Sequence, residues 1–464
     1  MLGRRASVSL GVAALLLAAL AGWRIYWPLK LPEQGESSPL RLKLLLNARI
    51  ADRLFPRWSD RAAVLGFYRS RRYERVWIDD GRPNARGVSA IQLLAQAGSE
   101  GLDPVDYRIA PMSLASDGAM ARSELELTAA VLRYARDVQF GRISGDDFGR
   151  MTQFERTRFE VRPLLDELAG MTDVGGALNL LAPSAAEYRA LRTKLAELRA
   201  GPAAENNLAS RSGKIRTIID NMERWRWYPR DLGATNVIVN IPQYRLTFTQ
   251  EGVVKFIGRA IVGERALPTP LLSVPMTSLT LNPIWNVPDE MVKREIMPRL
   301  EKDPDVLDRL GLKAEWRANG TLRLYQAPGD ENAEGHVRFN FPNKFLVYQH
   351  DTPDQRLFDQ DERAYSHGCV RVENAIYYAG FLLASAYPGE QYPPERLFSL
   401  FGPNEIEFRF PKPIPVHLTY QTAYVDAKGA LVLLPDIYGL DAKVEAALDA
   451  RNVTSRLKQV VGRT

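Results

Sequence analysis

The chain contains a single cysteine, Cys369, within a polar segment that also carries a histidine, a glycine and an arginine. The segment has the sequence Ser366-His367-Gly368-Cys369-Val370-Arg371. A thiol attacks as its thiolate, and an unperturbed cysteine, with a pKa of about 8.5, is mostly protonated at neutral pH. Free cysteine is also among the residue types most often buried as inert core. Cys369 is therefore either a catalytic nucleophile or a small apolar filler.

Two of the four histidines, His350 and His367, lie close to Cys369 in the sequence and are candidates for an activating base. His350 ends a predicted strand, and strand pairing can place it opposite Cys369. Gly368 permits backbone geometry that other residues would strain to adopt, and it leaves amide hydrogens free to face a developing oxyanion. The polar surroundings and the nearby histidines favour the nucleophile over the filler.

Metal binding is the other chemistry that these residue types permit. His350, His367 and Cys369 are possible ligands, but the closely spaced ligand pairs typical of zinc sites are absent. We therefore predict no metal and no cofactor. The remaining histidines, His336 and His417, have no such context and are most simply surface or hydrogen-bonded residues.

The elements that must position Cys369 and His350 are mainly β-strands. Strand-forming patterns cover 237–241, 244–248, 253–257, 259–262, 321–325 and 345–349. The last of these runs directly into His350. Between Pro288 and Gly311 the pattern is helical, and such an insertion in a β domain, here about 288–330, is often a lid. A helix is predicted after the cysteine, from Glu373 to Ala386.

The chain divides into a helical part and a mainly-β part, so the predicted fold class is multidomain. Apolar residues at three- and four-residue spacing predict helices over 41–200. A small, polar segment at 201–213 predicts a linker. The next domain is assigned to 214–420, with a predicted helix at 214–227 and strands from about residue 235. Residues 421–464 are expected to pack back on one of the two domains. Aromatic groups in the helical part are expected in its core, with a saccharide-contacting surface as the alternative.

Residues 1–30 predict a membrane-inserted segment. Arg4 and Arg5 precede an apolar run from Val8 to Trp23, an order typical of a segment whose start stays in the cytoplasm. It is either an uncleaved signal anchor, which we favour, or a cleaved signal peptide. Residues 31–40 form a linker, and the chain beyond them is expected to be exported.

The overall charge is mildly basic. The sequence has 61 Lys and Arg against 55 Asp and Glu, a net charge of +6, and the basic residues are spread along the chain. Nucleic acid is therefore not an expected partner. The charge suits an anionic wall or membrane surface, and equally suits ordinary solubility.

Around Cys369 the sequence resembles the L,D-transpeptidases of the YkuD type. Their signature is a histidine, then fourteen to seventeen residues, then Ser/Thr-His-Gly-Cys. His350, fifteen intervening residues and the Ser366 to Cys369 run match that spacing. Arg371 and other segments resemble the large Gram-negative, YcbB-like branch. Those segments are 280–288, 338–343, 350–353 and 436–439, with 73–77 and 100–107 resembling the scaffold domain of that branch.

The resemblance implies a helical scaffold domain followed by a β-rich L,D-transpeptidase (YkuD-like) catalytic domain with an inserted helical capping segment. It implies acyl transfer on peptidoglycan stem peptides, from a tetrapeptide donor to a diamino-acid acceptor. The product would be a 3→3 cross-link made through a cysteine thioester. A stem hydrolase (L,D-carboxypeptidase), a ligase joining the wall to an outer-membrane protein, and an inactive peptidoglycan-binding scaffold remain alternatives.

The same resemblance implies the residue roles. Cys369 would be the nucleophile, His350 the base and then the acid, the backbone carbonyl of Asp351 the group that orients the base, and the Gly368 amide an oxyanion donor. The supporting and substrate-contacting residues implied are Ser366, His367, Arg371, Trp285 and Tyr348. Arg371 would either brace the active-site turn, which we favour, or pair with a stem carboxylate.

Location and inhibition follow from the resemblance too. The exported part would lie in the periplasm, attached to the inner membrane by residues 1–30, and carbapenems would acylate the cysteine. Enzymes of this branch commonly carry a small peptidoglycan-binding module before the catalytic domain. Here the linker at 201–213 occupies that place, so attachment through such a module is not expected.

Overall fold

The computed structural model describes residues 48–461 except 80, 113–116, 146–147, 149–150, 155–156, 202–207 and 319. The predicted membrane segment 1–30 and linker 31–40 therefore lie outside the described residues. Within the described ranges, no helix is both long and apolar enough to cross a membrane.

The first half of the described chain is mainly helical. Its elements are α1 Ala48–Leu54, α2 Trp58–Ser70, β1 Ile78–Asp79, β2 Arg82–Pro83, α3 Ala85–Ala95, α4 Asp117–Phe140, β3 Thr152–Gln153, α5 Val161–Ala169, α6 Val174–Asn179, α7 Ala186–Ala200 and α8 Leu208–Trp225. Short 3-10 turns at Ala97–Glu100 and Pro104–Tyr107 connect α3 to α4. The β1 and β2 strands pair as a small antiparallel hairpin.

Aromatic side chains fill the core of this helical domain. Phe67, Tyr68 and Trp77 are fully buried, which agrees with their expected place in the core. Polar groups buried with these side chains are hydrogen-bonded. The Glu124 carboxylate accepts from the Tyr68 hydroxyl at 3.0 Å and from the Val76 amide at 2.6 Å. Pairing of this kind offsets the cost of removing a carboxylate from water.

The second half is built on β-strands. These are β4 Asn236–Asn240, β5 Arg245–Gln250, β6 Val253–Gly263, β7 Leu271–Leu281, β8 Trp285–Asn286, β9 Lys313–Trp316, β10 Leu322–Gln326, β11 Val337–Asn340, β12 Gln349–His350, β13 Ala364–Ser366, β14 Val370–Val372, β15 Ile406–Thr419, β16 Ala423–Val425 and β17 Leu431–Leu433. The main sheet has the order β11-β12-β14-β6-β5-β4-β15-β7-β3, and β11 also pairs with β7. The strands from β11 round to β7 therefore close on themselves.

The inward faces of these strands form the second core. Alternate residues such as Val237, Val239, Leu246 and Phe248 are fully buried, the two-residue period expected for strands with one face inside. Short β13 lies off the main path and pairs in parallel with the end of β6. This pairing brings the segment before Cys369 against β6.

The capping segment is half helix and half sheet. It contains α9 Asp289–Met291, a π-helical turn Val292–Ile296, α10 Met297–Leu300 and α11 Val306–Arg309, followed by β9 and β10. The β10 strand pairs with β8 and β9, and the segment has its own small core that includes Val292, Ile296 and Leu324. The sequence predicted a helical insertion with one strand. Exposed β9, with all four residues on the surface, lacks the apolar alternation that would have revealed it.

The position at which helix α8 begins disagrees with the predicted domain boundary. It begins at Leu208, inside the segment 201–213 predicted as a linker, and Ile218, Met222 and Trp225 are buried in the helical core. The predicted start of the catalytic domain at residue 214 therefore lies within a helix of the helical domain. The helical period in the sequence shows which face of α8 is apolar, but it carries no information about which neighbour covers that face.

The remaining helices and the C-terminal segment complete the fold. Helices α12 Ala375–Ala386 and α13 Pro394–Phe398 pack beside the main sheet, and α14 Leu440–Val461 ends the described chain. Arg451 in α14 binds the Asp137 carboxylate of α4 at 2.7 Å, whereas Val444 is buried in the core of the sheet. The C-terminal segment thus contacts both domains.

Candidate active site

The pairing of two neighbouring strands of the main sheet brings the segments that carry Cys369 and His350 together. The β12 and β14 strands are parallel, with Gln349 opposite Val370 and His350 opposite Arg371. The Val370 amide donates to the Tyr348 carbonyl at 3.0 Å. Because Cys369 immediately precedes β14, this register sets it beside the end of the strand that carries His350.

The His350 imidazole is buried and held from one side. It is 7% exposed, and Nδ1 lies 2.6 Å from the Asp351 carbonyl oxygen. A carbonyl only accepts, so Nδ1 carries the proton and Nε2 presents a lone pair. Burial, and secondarily the charge of Arg371, lowers the His350 pKa to about 3. The free site therefore holds a neutral imidazole at neutral pH.

The Cys369 thiol is likewise neutral in this state. Cys369 as a whole residue is partly exposed, but its sulfur is buried. This burial raises the pKa of the thiol to about 12. The negative charge of Glu334 acts in the same direction, whereas Arg371 opposes it. Cys369 and His350 thus form a thiol and imidazole pair, in which a proton must move before the sulfur can attack.

Ser366 ties the turn around Cys369 together. Its hydroxyl donates to the Cys369 carbonyl at 2.5 Å and accepts from the Gly368 amide at 3.1 Å. The Gly368 amide, predicted as an oxyanion donor, is therefore occupied by Ser366 in this state. The Cys369 amide has no hydrogen-bond partner within the described part of the chain, and it is the better placed donor. Gly368 itself has φ +109°, a conformation that side chains rarely adopt.

A second set of contacts fixes the other side of this turn. The Thr269 hydroxyl donates to the Gly368 carbonyl at 2.9 Å, and the Thr269 amide donates to the Tyr438 hydroxyl at 3.2 Å. Tyr438 in turn donates to the Gly263 carbonyl at 2.5 Å. The sequence did not indicate a role for Thr269. The segment 436–439, noted only for its resemblance, supplies Tyr438 from more than sixty positions away along the chain.

His367 points away from this turn to the capping segment. Its Nε2 lies 2.9 Å from a carboxylate oxygen of Glu295, which sits in the π-helical turn. Both side chains are partly exposed. The predicted supporting role of His367 thus takes the form of a bridge between the loop that carries Cys369 and the capping segment. Glu295 lies in a strongly charged stretch, so its sequence gave no signal that distinguished it from its neighbours.

Arg371 lies close to both catalytic candidates. Its charge lowers the pKa of His350 and also acts on Cys369. No hydrogen bond from its guanidinium occurs within the described residues, and its buried Nε is unpartnered. The bracing role that we favoured for Arg371 therefore gains no support from hydrogen bonds among the described residues, and it stays a prediction.

The two residues predicted to contact substrate lie in different places. Tyr348 lies near Cys369, and its amide and hydroxyl lower the pKa of the thiol, against the larger effect of burial. The same hydroxyl donates to the Glu334 carboxylate at 2.6 Å. Trp285, in contrast, packs against the small core of the capping segment and pairs with Gln326 through β8 and β10. Across the described ranges, no group of three or more His, Cys, Asp or Glu side chains is arranged to hold a metal ion.

Comparisons with known proteins match both halves of the chain. Residues 62–195 match the model of a scaffold domain, and residues 234–391 match that of the L,D-transpeptidase catalytic domain, YkuD. A curated Haemophilus influenzae protein, provisionally named an L,D-transpeptidase, is 33% identical over 227 residues, which are 46% of this chain and 45% of that protein.

Solved structures give lower similarity. L,D-transpeptidase 3 from Mycobacterium tuberculosis with a faropenem-derived adduct is 15% identical, with 40% of this chain and 60% of that chain covered and a TM-score of 0.22. A cysteine-to-serine mutant of the Enterococcus faecium L,D-transpeptidase is 14% identical, with 41% and 52% covered and a TM-score of 0.18. The chain thus spans about half the length of the relatives it matches. The second half of the chain thus contains a region that matches the YkuD L,D-transpeptidase catalytic domain, and the region before it matches a scaffold domain.

Proposed function

We propose that this protein is a peptidoglycan L,D-transpeptidase that forms 3→3 cross-links through a thioester on Cys369. The observation that carries this proposal is the placement of His350. The Asp351 carbonyl fixes its Nδ1 at 2.6 Å, and β12, which carries His350, pairs with β14, the strand that begins directly after Cys369. The alternative, an inert cysteine in the core, gives no reason for a buried imidazole with one nitrogen left free.

The first step is acylation of the sulfur. The donor is a tetrapeptide stem, and the attacked carbon is the carbonyl at the L-centre of its diamino acid. His350 Nε2 takes the thiol proton as the S–C bond forms, and the Cys369 amide donates to the oxyanion. One such donor typically contributes about 3 to 4 kcal/mol to the transition state. The C–N bond then breaks, and D-Ala leaves with the proton that the imidazolium returns.

The second step transfers the acyl group to an amine. The side-chain amine of a neighbouring stem attacks the thioester, and His350 removes its proton as the new C–N bond forms. The C–S bond breaks, and the sulfur recovers its proton. The capping segment, residues 288–330, limits the access of water so that the amine is favoured over hydrolysis.

Arg371 binds the donor in this mechanism. Its guanidinium has a buried, unpartnered Nε and lies near both reacting groups. A carboxylate of the stem peptide supplies the missing acceptor, in the bidentate geometry that arginine prefers. Trp285 contributes indirectly as part of the capping segment.

The cellular setting is part of the same proposal. The protein acts in the periplasm, is held at the inner membrane by residues 1–30, and belongs to the YcbB-like branch. It contributes to cell wall biogenesis and cell shape. Carbapenems acylate Cys369, because their strained carbonyl is attacked by the same thiol that attacks the stem.

Two measurements test this proposal. The full chain, purified in detergent, is incubated with a carbapenem, and intact-mass spectrometry should show the added mass of one drug molecule. A folded Cys369→Ala variant should add none. A folded wild-type chain that gains no mass at an excess of the drug would contradict the proposed nucleophile.

The second measurement identifies the acceptor. Sacculi rich in tetrapeptide stems are incubated with the protein, and the muropeptides are analysed. New 3→3 dimers support the transpeptidase, whereas tripeptides alone indicate a hydrolase. Transfer to an added outer-membrane protein indicates a ligase, and an unchanged profile with binding to sacculi indicates a scaffold.

A further inference from the structure

A cavity of about 380 Å³ lies between the helical domain and the C-terminal helix α14. Its walls come from the turn at 101–104, from helices α7 and α8 and from α14. The apolar part of the wall includes Leu102, Ile215, Ile219 and Leu448. A volume of this size is typical of small-molecule sites. None of the residues that line the cavity belongs to the proposed active site.

One side chain on this wall, Asp220 of α8, is a buried acid without a partner. The residue is 3% exposed, and its carboxylate makes no hydrogen bond or ion pair with any residue that the structure describes. Burial raises the pKa of this carboxyl to about 7, against a smaller opposing effect of Arg224. Buried carboxylates are normally paired or hydrogen-bonded, because an unpaired one is costly. Asp220 therefore lacks a partner that a ligand can supply.

The two arginines whose charges act on Asp220 are bound to other acids. Arg224 Nη1 lies 2.6 Å from a carboxylate oxygen of Asp441 in α14. Arg216 pairs with Glu445 of the same helix. Each of these cations thus has its own acid, and the contacts between α8 and α14 leave Asp220 as an additional negative charge when it is ionised.

The remaining polar groups on the wall include a second acceptor. Asn452 of α14 lines the same cavity, and its Oδ1 has no hydrogen-bond partner in the described ranges. Arg199 donates to the Gly98 carbonyl. Arg142 retains one unpartnered nitrogen, Nη2, but its charge is matched by Glu223, whose carboxylate lies 3.3 Å from Nε. The free acidic group and the free amide oxygen both call for a donor.

A primary ammonium group meets this need better than a metal ion does. Hard metal ions take about six to eight oxygen ligands, and no group of three or more His, Cys, Asp or Glu side chains is arranged to hold one in the part of the chain that the structure describes. An ammonium group carries three donors and a positive charge. A positive charge beside Asp220 also favours the ionised carboxylate. An aliphatic stem on the same ligand would be buried against the apolar wall.

We propose that this cavity binds a small primary amine with an aliphatic stem, and that the ammonium group of the ligand pairs with the Asp220 carboxylate. The Asn452 oxygen is the second acceptor, and Leu102 and Ile219 belong to the wall that covers the stem. The site lies outside the catalytic machinery. The inference therefore goes beyond the proposed reaction and does not rest on it.

Binding of a defined amine gives the first test. The full chain, purified in detergent, is titrated with n-pentylamine, and binding is followed by isothermal titration calorimetry. The controls n-pentanol and pentanoate have the same length of carbon chain with a neutral or a negative head group. We expect saturable binding of the amine and at least about tenfold weaker binding of both controls, the effect of losing one hydrogen bond to a charged group. A folded chain that does not bind the amine, or that binds all three equally, would overturn the inference.

The second test removes the charge of Asp220. Asp220→Asn keeps the size of the side chain, and its affinity for n-pentylamine should fall by at least about tenfold. Asp449→Asn is the matched control, because Asp449 lines the same cavity but has a side chain that is 63% exposed. Solvent screens such a charge, so the affinity should stay within about twofold of wild type. Equal losses in the two variants would contradict a specific pairing with Asp220.

Thermal melts separate a ligand site from a structural role of Asp220. An unpaired buried carboxylate adds no favourable contact to the folded chain, so Asp220→Asn should melt no lower than wild type. Saturating n-pentylamine should raise the melting temperature of wild type but not that of the variant. A variant that melts well below wild type would show that Asp220 has a structural partner, and the inference would fail.

Acylation of Cys369 by a carbapenem is measured on the same samples. Both variants should acylate at the wild-type rate, since neither residue belongs to the active site. A chain that binds the amine but resists the carbapenem loses only the proposed reaction. A chain that is acylated normally but does not bind the amine loses only the site at Asp220.

Discussion

Two histidines are buried in the same sheet, and their surroundings differ in one respect. His350 ends β12, and His417 lies in β15. Burial lowers the pKa of both, to about 3 for His350 and to about 4 for His417. His417 uses both ring nitrogens, with Nδ1 3.0 Å from the Ser273 hydroxyl and Nε2 3.0 Å from the Leu232 carbonyl. Among the residues that the structure describes, His350 is hydrogen-bonded only through Nδ1.

This difference separates a structural histidine from a candidate base. A strongly lowered pKa reports that an imidazole is buried, and here both residues satisfy that criterion. Only the imidazole with an unoccupied nitrogen beside a thiol can accept a proton from a substrate complex. A ring nitrogen without a hydrogen-bond partner among the described residues is therefore better evidence for a base than the size of the pKa shift.

The largest effect is expected from removing the base. His350→Gln keeps a polar side chain but cannot exchange a proton, so the rate of carbapenem acylation should fall by about 100-fold to 10,000-fold. His417→Gln is the matched control, and its folded fraction should acylate within about twofold of wild type. Stopped-flow fluorescence with intact-mass detection measures both. Near wild-type acylation by His350→Gln would remove the distinction between the two residues.

His417 should dominate a different property, the pH dependence of stability. Its pKa in the folded chain is about 4, below the unfolded value near 6.5. Between these values the unfolded chain binds the proton more readily, so stability falls as the pH is lowered from 6.5 to 4. The loss should be on the order of 3 kcal/mol for a shift of this size.

Urea unfolding of wild type and His417→Gln at several pH values checks this contribution. The variant should be less stable at pH 7, since it loses buried hydrogen bonds, and its curve should be flatter between pH 4 and 6.5. His350 is present in both chains, so its own contribution cancels in the difference. Parallel curves would contradict a buried, neutral His417.

A third difference is the charge of Arg371, which lowers the pKa of His350, whereas no charged group of the described chain shifts that of His417. Arg371→Lys keeps the positive charge beside His350 but loses the planar fork that matches a carboxylate. We expect a KM for tetrapeptide donors about tenfold higher, from the loss of about 1.5 kcal/mol of binding, and a kcat near that of wild type. Steady-state kinetics on muropeptides measures both. A lower melting temperature with unchanged KM would instead favour bracing.

The sequence predicted a strand that runs into His350, and it allowed that strand to pair near Cys369. The structure has the strand and pairs it with β14, which the sequence did not predict. The roles assigned to those residues remain predictions. The occupied Gly368 amide was not foreseeable, since it depends on one rotamer of Ser366.

Long-range contacts account for the rest of what the sequence left undetermined. Thr269 and Tyr438 reach the Gly368 turn from distant segments, and Glu334 reaches Tyr348 across the sheet edge. Nothing in the local pattern around these three residues specifies a partner. The same reason explains why the domain of α8 was not predicted. The spacing of its apolar residues shows which face is buried, but it does not show which domain covers that face.

The smallest effect concerns His367, which differs from both buried histidines in being 43% exposed and in bonding to a group on the capping segment. Exposed pairs of this kind contribute about 0.2 to 1 kcal/mol, because solvent screens them. In Glu295→Gln we therefore expect the capping segment to be held less tightly and the ratio of tripeptide to cross-linked product to rise by up to about fivefold. Glu290→Gln, an exposed carboxylate of the same segment that pairs only with Lys293, should leave the ratio unchanged. If both variants shift it equally, charge on the capping segment, and not its link to His367, determines how water is excluded.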